Sequence, residues 1–357
     1  MPKKAISSVE LAALVSELQF LAKGKISQIY HAGKELLFQL HAPGKGKQLL
    51  RIIPGKWLCL TKRKETLLKP SSFCMQLRKY LDNAVINQIY QKYSERVVVF
   101  EVEKKEKYLM IVELFSKGNL VLTNDKYQII TAWERQAWKD RTIAPGEKYL
   151  FPSQGVNWKT ISGKELENIL HRSEKKNLAT SLAMEIGLGG VSAEEVCKKA
   201  GADKNSLPRE ENAKEILRAI RMIAGLAEKP AGFIYDEEIT PFPLEGQRAA
   251  GKTASFNEAI DTLNPFPKPS PYGQEIKAVE RMIREQEESL GNLQQRVEMY
   301  KKKGELIYEN YTPLQRLLAI VAEMRKTKSW GEIADELKKE RKIKKVDLKE
   351  KKLVIDL

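Results

Sequence analysis

Four prolines at alternate positions, Pro265, Pro267, Pro269 and Pro271 in NPFPKPSPY, constrain this chain more than any other feature. Each removes an amide donor and clashes with the preceding helical turn, so neither a helix nor a central strand can pass through them. The segment 264–272 is therefore a semi-rigid, polyproline-like linker, and the sequence folds as separate pieces on either side. Its 357 residues, 42% of them apolar, suffice for two or three cored units of roughly 100–200 residues each.

Before the linker, residues 6–22 (ISSVELAALVSELQFLA) place Val9, Leu14, Leu18 and Leu21 on one helical face. Short apolar runs follow, KISQIYH, ELLFQLH, QLLRIIP and KWLCLTK, separated by Gly, Pro and Lys clusters that predict antiparallel hairpins. A helix near 72–83 (SFCMQLRKYLDN) interrupts them, and AVINQIYQKY, ERVVVFEVEK, KYLMIVELF, GNLVLTN and YQIITAW resume the pattern up to the loop IAPGEKYLFP. Residues 1–160 thus read as an antiparallel β-rich domain. Over 161–230 the period changes to 3.6 and predicts a small helical domain. Segment 231–263 returns to the first domain through the strand-like GFIYDEEITPFPL and a helix at SFNEAIDTL, with Ser255 as its N-cap and Glu258 three residues on. The fold class is α+β.

Beyond the linker, over 273–340, Ile276, Val279, Ile283, Leu290, Leu293, Val297, Tyr300, Ile307, Tyr311, Leu314 and Leu318 recur in steps of three and four, with only Gln286 and Gly304 out of register. That is a coiled-coil seam, and about 40 helical residues would span about 60 Å. Thr312-Pro313 carries the signature of a helix restart. A helix packed on the head would use the same stripe, but the surface between seam positions is nearly all charged. No limb of comparable length follows, which predicts self-association or disorder of the arm. The chain closes at 341–357 with the basic, strand-like KIKKVDLKEKKLVIDL.

The formal charge of +15, from 62 Lys and Arg against 47 Asp and Glu, recurs along the sequence and points to a polyanionic partner; a merely solvated basic surface is the alternative. No apolar run approaches a membrane span and no signal peptide opens the chain, so the expectation is a cytoplasmic protein without membrane contact. Cys59, Cys74 and Cys197 are odd in number and have no metal-ligand spacing to His31, His41 or His171, so we expect buried thiols, no metal and no cofactor. No Ser/His/Asp or Cys/His set stands out, which leaves the catalytic residues at none, and GKGK at 44–47 lacks nucleotide-loop spacing.

The most specific motif is LAMEIGLGGVSAEEVCKKAG, a helix-hairpin-helix pattern turning at Gly187, Gly189 and Gly190. Such glycines let backbone amides and a helix start approach a phosphate, though the same pattern also serves as a packing unit. A second candidate is Glu95-Arg96 after Lys92-Tyr93, with Arg78-Lys79-Tyr80 on the preceding helix: an ordinary surface ion pair, or a cluster where Arg forks phosphates and aromatics stack on bases.

Together ISSVELAALVSEL, KISQIY, FCMQLRKYL, SERVVVFEV, KGNLVLTN, IAPGEKYLFP, GLGGVSAEEVCKKAG, SFNEAID and KKKGELIYENY resemble the NFACT family of ribosome quality-control factors, in the right order over nearly the whole chain. The resemblance implies an N-terminal domain like that of formamidopyrimidine-DNA glycosylases, then helix-hairpin-helix, coiled coil with a middle domain that 341–357 would begin, and a C-terminal RNA-binding domain beyond it. It implies an adaptor, not an enzyme, that binds tRNA, chiefly alanyl-tRNA, on a large ribosomal subunit (rRNA) obstructed by stalled peptidyl-tRNA, and supports untemplated C-terminal tailing. The family's Asp-Arg pair falls on Glu95 and Arg96, and the acid of its first helix on Glu10; both acids here are a methylene longer. With Arg78 and Lys79 these are the expected tRNA-binding residues. The rival reading is a base-excision enzyme using Pro2 as amine nucleophile, against which stand Lys3 in place of a glutamate and the lack of a four-cysteine zinc finger.

Overall fold

The computed structural model describes residues 5–32, 34–62, 70–138, 141–236, 238–263, 273–337, 343–347 and 352–355; the proline linker and Pro2 lie outside the described residues. The chain divides into two compact units, 1–266 and 267–357.

The first unit opens with α1 (Ser8–Glu17), continued by one 3₁₀ turn to Leu21. Ser7 caps it: its Oγ accepts from the Glu10 amide at 3.3 Å while its own amide donates to Glu10 Oε2 at 2.7 Å. That reciprocal box satisfies two donors a helix start would otherwise leave unpaired. Val9, Leu14, Leu18 and Leu21 are fully buried, as their spacing predicts.

Nine strands make one antiparallel sheet: β1 (Lys25–Ala32), β2 (Glu35–Ala42), β3 (Gly46–Ile53), β4 (Trp57–Leu60), β5 (Val85–Gln91), β6 (Val97–Glu103), β7 (Lys107–Glu113), β8 (Asn119–Asn124) and β9 (Ile129–Ala132). Their order is β4-β3-β2-β1-β5-β6-β7-β8-β9, two meanders that join at Lys25↔Val85. Between them runs α2 (Ser72–Leu81), capped by Ser71. The run VVVFEV in β6 is apolar without alternation because both faces are covered. Val98, Phe100 and Val102 enter the main core, whereas Val97 and Val99 join a second cluster with Ile143 and Tyr149. The short hairpin β10 (Gln136–Ala137) and β11 (Thr142–Ile143) precedes the residues that close over this second face.

Helices α3 (Gly163–Arg172), α4 (Leu178–Met184), α5 (Gly190–Ala200) and α6 (Ala213–Glu228) follow. Their Leu166, Leu182, Val196 and Ile220 belong to the same continuous core as the sheet, with Trp158 and Ile161 at the crossing. The return segment forms β12 (Gly232–Ile234), β13 (Ile239–Thr240) and β14 (Gly251–Thr253), then α7 (Phe256–Leu263). Ser255 caps α7 as expected, accepting from the Glu258 amide at 3.0 Å. A second cap comes from far away in sequence: the Glu17 carboxylate accepts from the amides of Phe256 at 2.6 Å and Asn257 at 2.8 Å. Removing it leaves two part-buried donors unpaired, so Glu17→Ala is expected to cost about 1–2 kcal/mol, read as a fall in the denaturant midpoint.

All three cysteines are buried and unpaired, as read from their spacing, and burial pushes the Cys197 thiol up to about 11.

In the second unit, α8 (Gly273–Glu309) is followed by α9 (Tyr311–Met324), α10 (Trp330–Leu337) and the hairpin β15 (Ile343–Asp347) with β16 (Lys352–Ile355). The helix does break near the expected restart, but two residues earlier: Asn310 takes the cap position and Pro313 becomes the third residue of α9. A proline is tolerated there because first-turn amides have no intrahelical acceptor. Val321, Ile333 and Leu337 form a small core between α9 and α10. Along α8 and α9 the seam residues Val279, Ile283, Leu290, Leu293, Val297, Tyr300, Ile307 and Leu318 are all exposed.

Candidate nucleic-acid interface

The start of α1, the turn between β5 and β6, residues 155–156 and the α4–α5 turn enclose a cleft of about 750 Å³. Its walls gather Glu10, Glu95, Arg96, Gly187, Gly189 and Gly190, six of the eight residues singled out from the sequence. The other two are elsewhere. Arg78 donates through Nε and Nη2 to the Ile29 carbonyl at 2.8 and 2.6 Å, tying α2 to β1, and Lys79 lies over the Tyr80 ring.

Inside the cleft the residues differ in what they offer. Glu10, 3% exposed, accepts the Ser7 amide and fixes the helix start. Glu95 Oε1 accepts the Gly155 amide at 2.8 Å. Glu185 accepts the hydroxyls of Ser173 and Ser181 at 2.6 and 2.7 Å. Arg96 is half-buried, with Nη1 donating to the Ile6 carbonyl at 3.3 Å. Burial pulls its pKa below the usual arginine value, an effect the Glu95 carboxylate opposes. A guanidinium held out of water beside carboxylates already engaged by amides and hydroxyls has hydrogen-bonding capacity suited to an incoming anion.

The glycines divide likewise. Gly187 and Gly189 both take left-handed φ, +82° and +83°. A Cβ on Gly187 would meet open space, but on Gly189 it would lie 2.8 Å from Ser7 Cβ. The Gly189 amide also donates to the Ala183 carbonyl at 3.3 Å. Gly189 is therefore a packing glycine that lets the start of α5 approach the start of α1. Gly190 and Val191, the first residues of α5, line the cleft, and first-turn amides lack intrahelical acceptors. Two helix N-termini thus converge here; that of α1 is already met by its own Glu10 carboxylate, and that of α5, with no side-chain cap, is the one that favours an incoming anion.

Beneath the cleft lies a polar network that sequence reasoning did not find. Trp158 Nε1 donates to Ser8 Oγ at 2.8 Å, and the Ser8 hydroxyl donates to the Ser94 carbonyl. Gln91 Nε2 donates to the carbonyls of Ser8 at 3.1 Å and Glu95 at 2.9 Å, while Lys159 Nζ donates to Gln91 Oε1 at 2.7 Å. The Ser-x-x-Glu spacing of Ser7 and Glu10 was readable as a capping box; nothing local connects Trp158 with Ser8. Burial lowers the Lys159 pKa to about 8 from 10.5. Between those pH values the unfolded chain binds more protons than the folded one, so this group makes stability rise with pH across the window. Denaturant unfolding from about pH 8 to 10.5 should show that rise in the wild type and a smaller one in Lys159→Met.

A two-sided antiparallel sheet, a glycine-turned helical pair sharing its core and a long helix beyond define the class of protein. The chain belongs to the NFACT family: the pattern for NFACT N-terminal and middle domains matches residues 7–355. It is 30% identical to the archaeal Rqc2 homolog aRqcH of Methanocaldococcus jannaschii over 93% of this chain and 54% of that protein. To the human ribosome quality control complex subunit NEMF it is 24% identical, over 89% of this chain and 34% of that one. The chain therefore spans about half the length of the archaeal relative. The chain is also similar to the N-terminal part of the fibronectin/fibrinogen-binding protein of Streptococcus suis, TM-score 0.61 at 23% identity, covering 72% of this chain and 98% of that one, which shows a shared fold.

Proposed function

We propose that this chain is the tRNA-holding part of a ribosome-associated quality-control factor, working in the cytoplasm on large ribosomal subunits obstructed by peptidyl-tRNA. Its relatives named for ribosome quality control support the setting. The observation that carries the assignment of tRNA to the head is the meeting of Arg96 with the starts of α1 and α5 in one cleft. A phosphate would take the guanidinium and the amides at the start of α5, and the mixed sign of the walls suits RNA, whose ribose hydroxyls and base amines donate to carboxylates. The factor acts as an adaptor: it presents tRNA, chiefly alanyl-tRNA, and the ribosome's own peptidyl-transferase centre extends the stalled chain without a template.

Filter binding of tRNA across a salt series tests this. Affinity should fall steeply with salt, and Arg96→Ala should weaken binding by roughly tenfold and reduce the salt slope by about one. Unmeasurable tRNA binding at low salt, or an Arg96→Ala protein that binds as wild type, would remove the assignment. Large-subunit rRNA should co-purify with the chain from a matching lysate.

A further inference from the structure

Beside the cleft the second face of the sheet carries a ladder of cations and aromatic rings, ending at each extremity in an exposed ring. At one end is Tyr93, 45% exposed, in the turn that also presents Arg96. Lys92 Nζ lies 4.6 Å from the centroid of Tyr93 and 4.6 Å from that of Phe151. Phe151 meets Tyr149 edge to face at 5.1 Å, and the Arg141 guanidinium stands 5.9 Å from Tyr149 and 4.7 Å from Trp138. Trp138, 47% exposed, ends the ladder. The inner members are fixed: Arg141 pairs with Glu113 at 2.7 Å, and Tyr149 donates to that same carboxylate oxygen at 2.8 Å. Arg141 also stands 6.0 Å from Phe115, which lines the cleft, so ladder and cleft adjoin.

Two details set the end rings apart from a satellite core. Tyr93 keeps a left-handed backbone, φ +51°, at a turn braced by the bond from the Glu95 amide to the Lys92 carbonyl at 2.9 Å. A non-glycine residue is uncommon in that region, and 45% of this one's surface stays exposed. Trp138 is steadied by Arg141, since its amide donates to the Arg141 carbonyl at 2.9 Å and the guanidinium stands against its ring. Each ring therefore has a cation beside it and open surface besides.

We infer that Trp138 and Tyr93 are stacking platforms for unpaired bases of an RNA whose backbone lies against the Arg96 cleft. A base inside a duplex has both faces occupied, so only splayed or single-stranded nucleotides can use such rings. The cations beside the rings favour a polyanion over an apolar peptide, in keeping with the +15 charge of the chain. The inference rests on the reading of the cleft as a tRNA site and extends it from phosphates to bases.

The test uses the whole chain with three probes: tRNA, a single-stranded oligouridine of about a dozen nucleotides, and a duplex RNA of similar length. Trp138→Leu and Tyr93→Asn each remove a ring, and asparagine tolerates the left-handed backbone. Each should weaken oligouridine binding by about tenfold, leave duplex binding unchanged and not lower the melting temperature, whereas Trp138→Phe should keep most of the affinity. Trp138→Leu and Tyr93→Asn proteins that bind oligouridine like wild type would overturn the platforms, as would a Trp138→Phe protein as weak as Trp138→Leu. Should the platforms fail while Arg96→Ala still weakens tRNA binding, the cleft reading stands alone. Ring variants that lose oligouridine binding beside an Arg96→Ala protein of undiminished tRNA affinity would instead sink the cleft reading. A wild type that binds none of the probes sinks both.

Discussion

Gly118→Ala is expected to leave little folded head. Gly118 has φ +72°, and a Cβ built on it would lie 1.8 Å from the Gly55 nitrogen and 2.2 Å from the Pro54 carbonyl carbon. These contacts are backbone, which no rotamer change can relieve. Gly55 has φ +79° itself, and its own Cβ would stand 2.8 Å from the Lys117 carbonyl oxygen. Neither strand connection can retreat, because the Gly55 amide donates to the Glu113 carbonyl and the Gly118 amide to the Phe115 carbonyl, both at 2.9 Å. The β3–β4 turn of one meander thus presses directly on the β7–β8 turn of the other. Left-handed strain of about 1–2 kcal/mol per residue combined with overpacking of about 1–3 kcal/mol gives a loss approaching 5 kcal/mol, comparable to a marginal domain's whole stability. The control is Gly146→Ala, at φ +90° with nothing within 4 Å of the added carbon, which meets the backbone strain alone. Thermal melts of the two variants should differ widely; equal shifts would mean that the turn crossing is not rigid.

That crossing explains how far the fold was legible. Strands and helices announce themselves by period, and the hairpins of both meanders, α2 and the four helices after Ser162 lie where the apolar runs place them. Contacts between distant turns have no local signature. Gly55 and Gly118 look like any other turn glycines, Glu17 looks like a surface carboxylate at a helix end, and β14 (Gly251–Thr253) is too short and polar to stand out. The site divides in the same way. Glu95, Arg96 and the glycine hairpin were visible as motifs, and the structure brings them to one cleft with Glu10. Arg78 and Lys79 were grouped with them by charge and sequence proximity alone, and α2 instead carries Arg78 to β1 and leaves Lys79 over the Tyr80 ring. The supporting Ser8, Gln91, Trp158 and Lys159 come together from three separate stretches, a meeting that only the tertiary fold creates.

The cleft itself offers the sharpest functional contrast, between Gly187→Ala and Gly189→Ala. Both positions have φ near +80°, so both variants meet backbone strain, and at Gly189, where ψ is 159°, it is of order 1–3 kcal/mol because that region is essentially confined to glycine. Only at Gly189 does the new carbon also strike a neighbour, Ser7 Cβ at 2.8 Å. No rotamer change moves Ser7 Cβ, and the Ser7 backbone that places it is held in the cap on α1, its amide donating to Glu10 Oε2 and its Oγ accepting the Glu10 amide. The start of α5 must therefore back away from the start of α1, widening the site where the start of α5 and Arg96 would share one phosphate. Electrostatic contacts of this kind depend on close approach, and loss of a charge-assisted hydrogen bond of about 1.5–3 kcal/mol corresponds to roughly ten- to hundredfold in affinity. Gly189→Ala should accordingly lose tRNA binding by that factor while remaining folded, and Gly187→Ala, strained but free of the clash, should keep an affinity within a few-fold of wild type. Both variants are read by tRNA titration at fixed salt beside a melting curve. A Gly187→Ala protein that loses as much affinity as Gly189→Ala would show that backbone approach at the turn, and not the spacing of the two helix starts, governs the site.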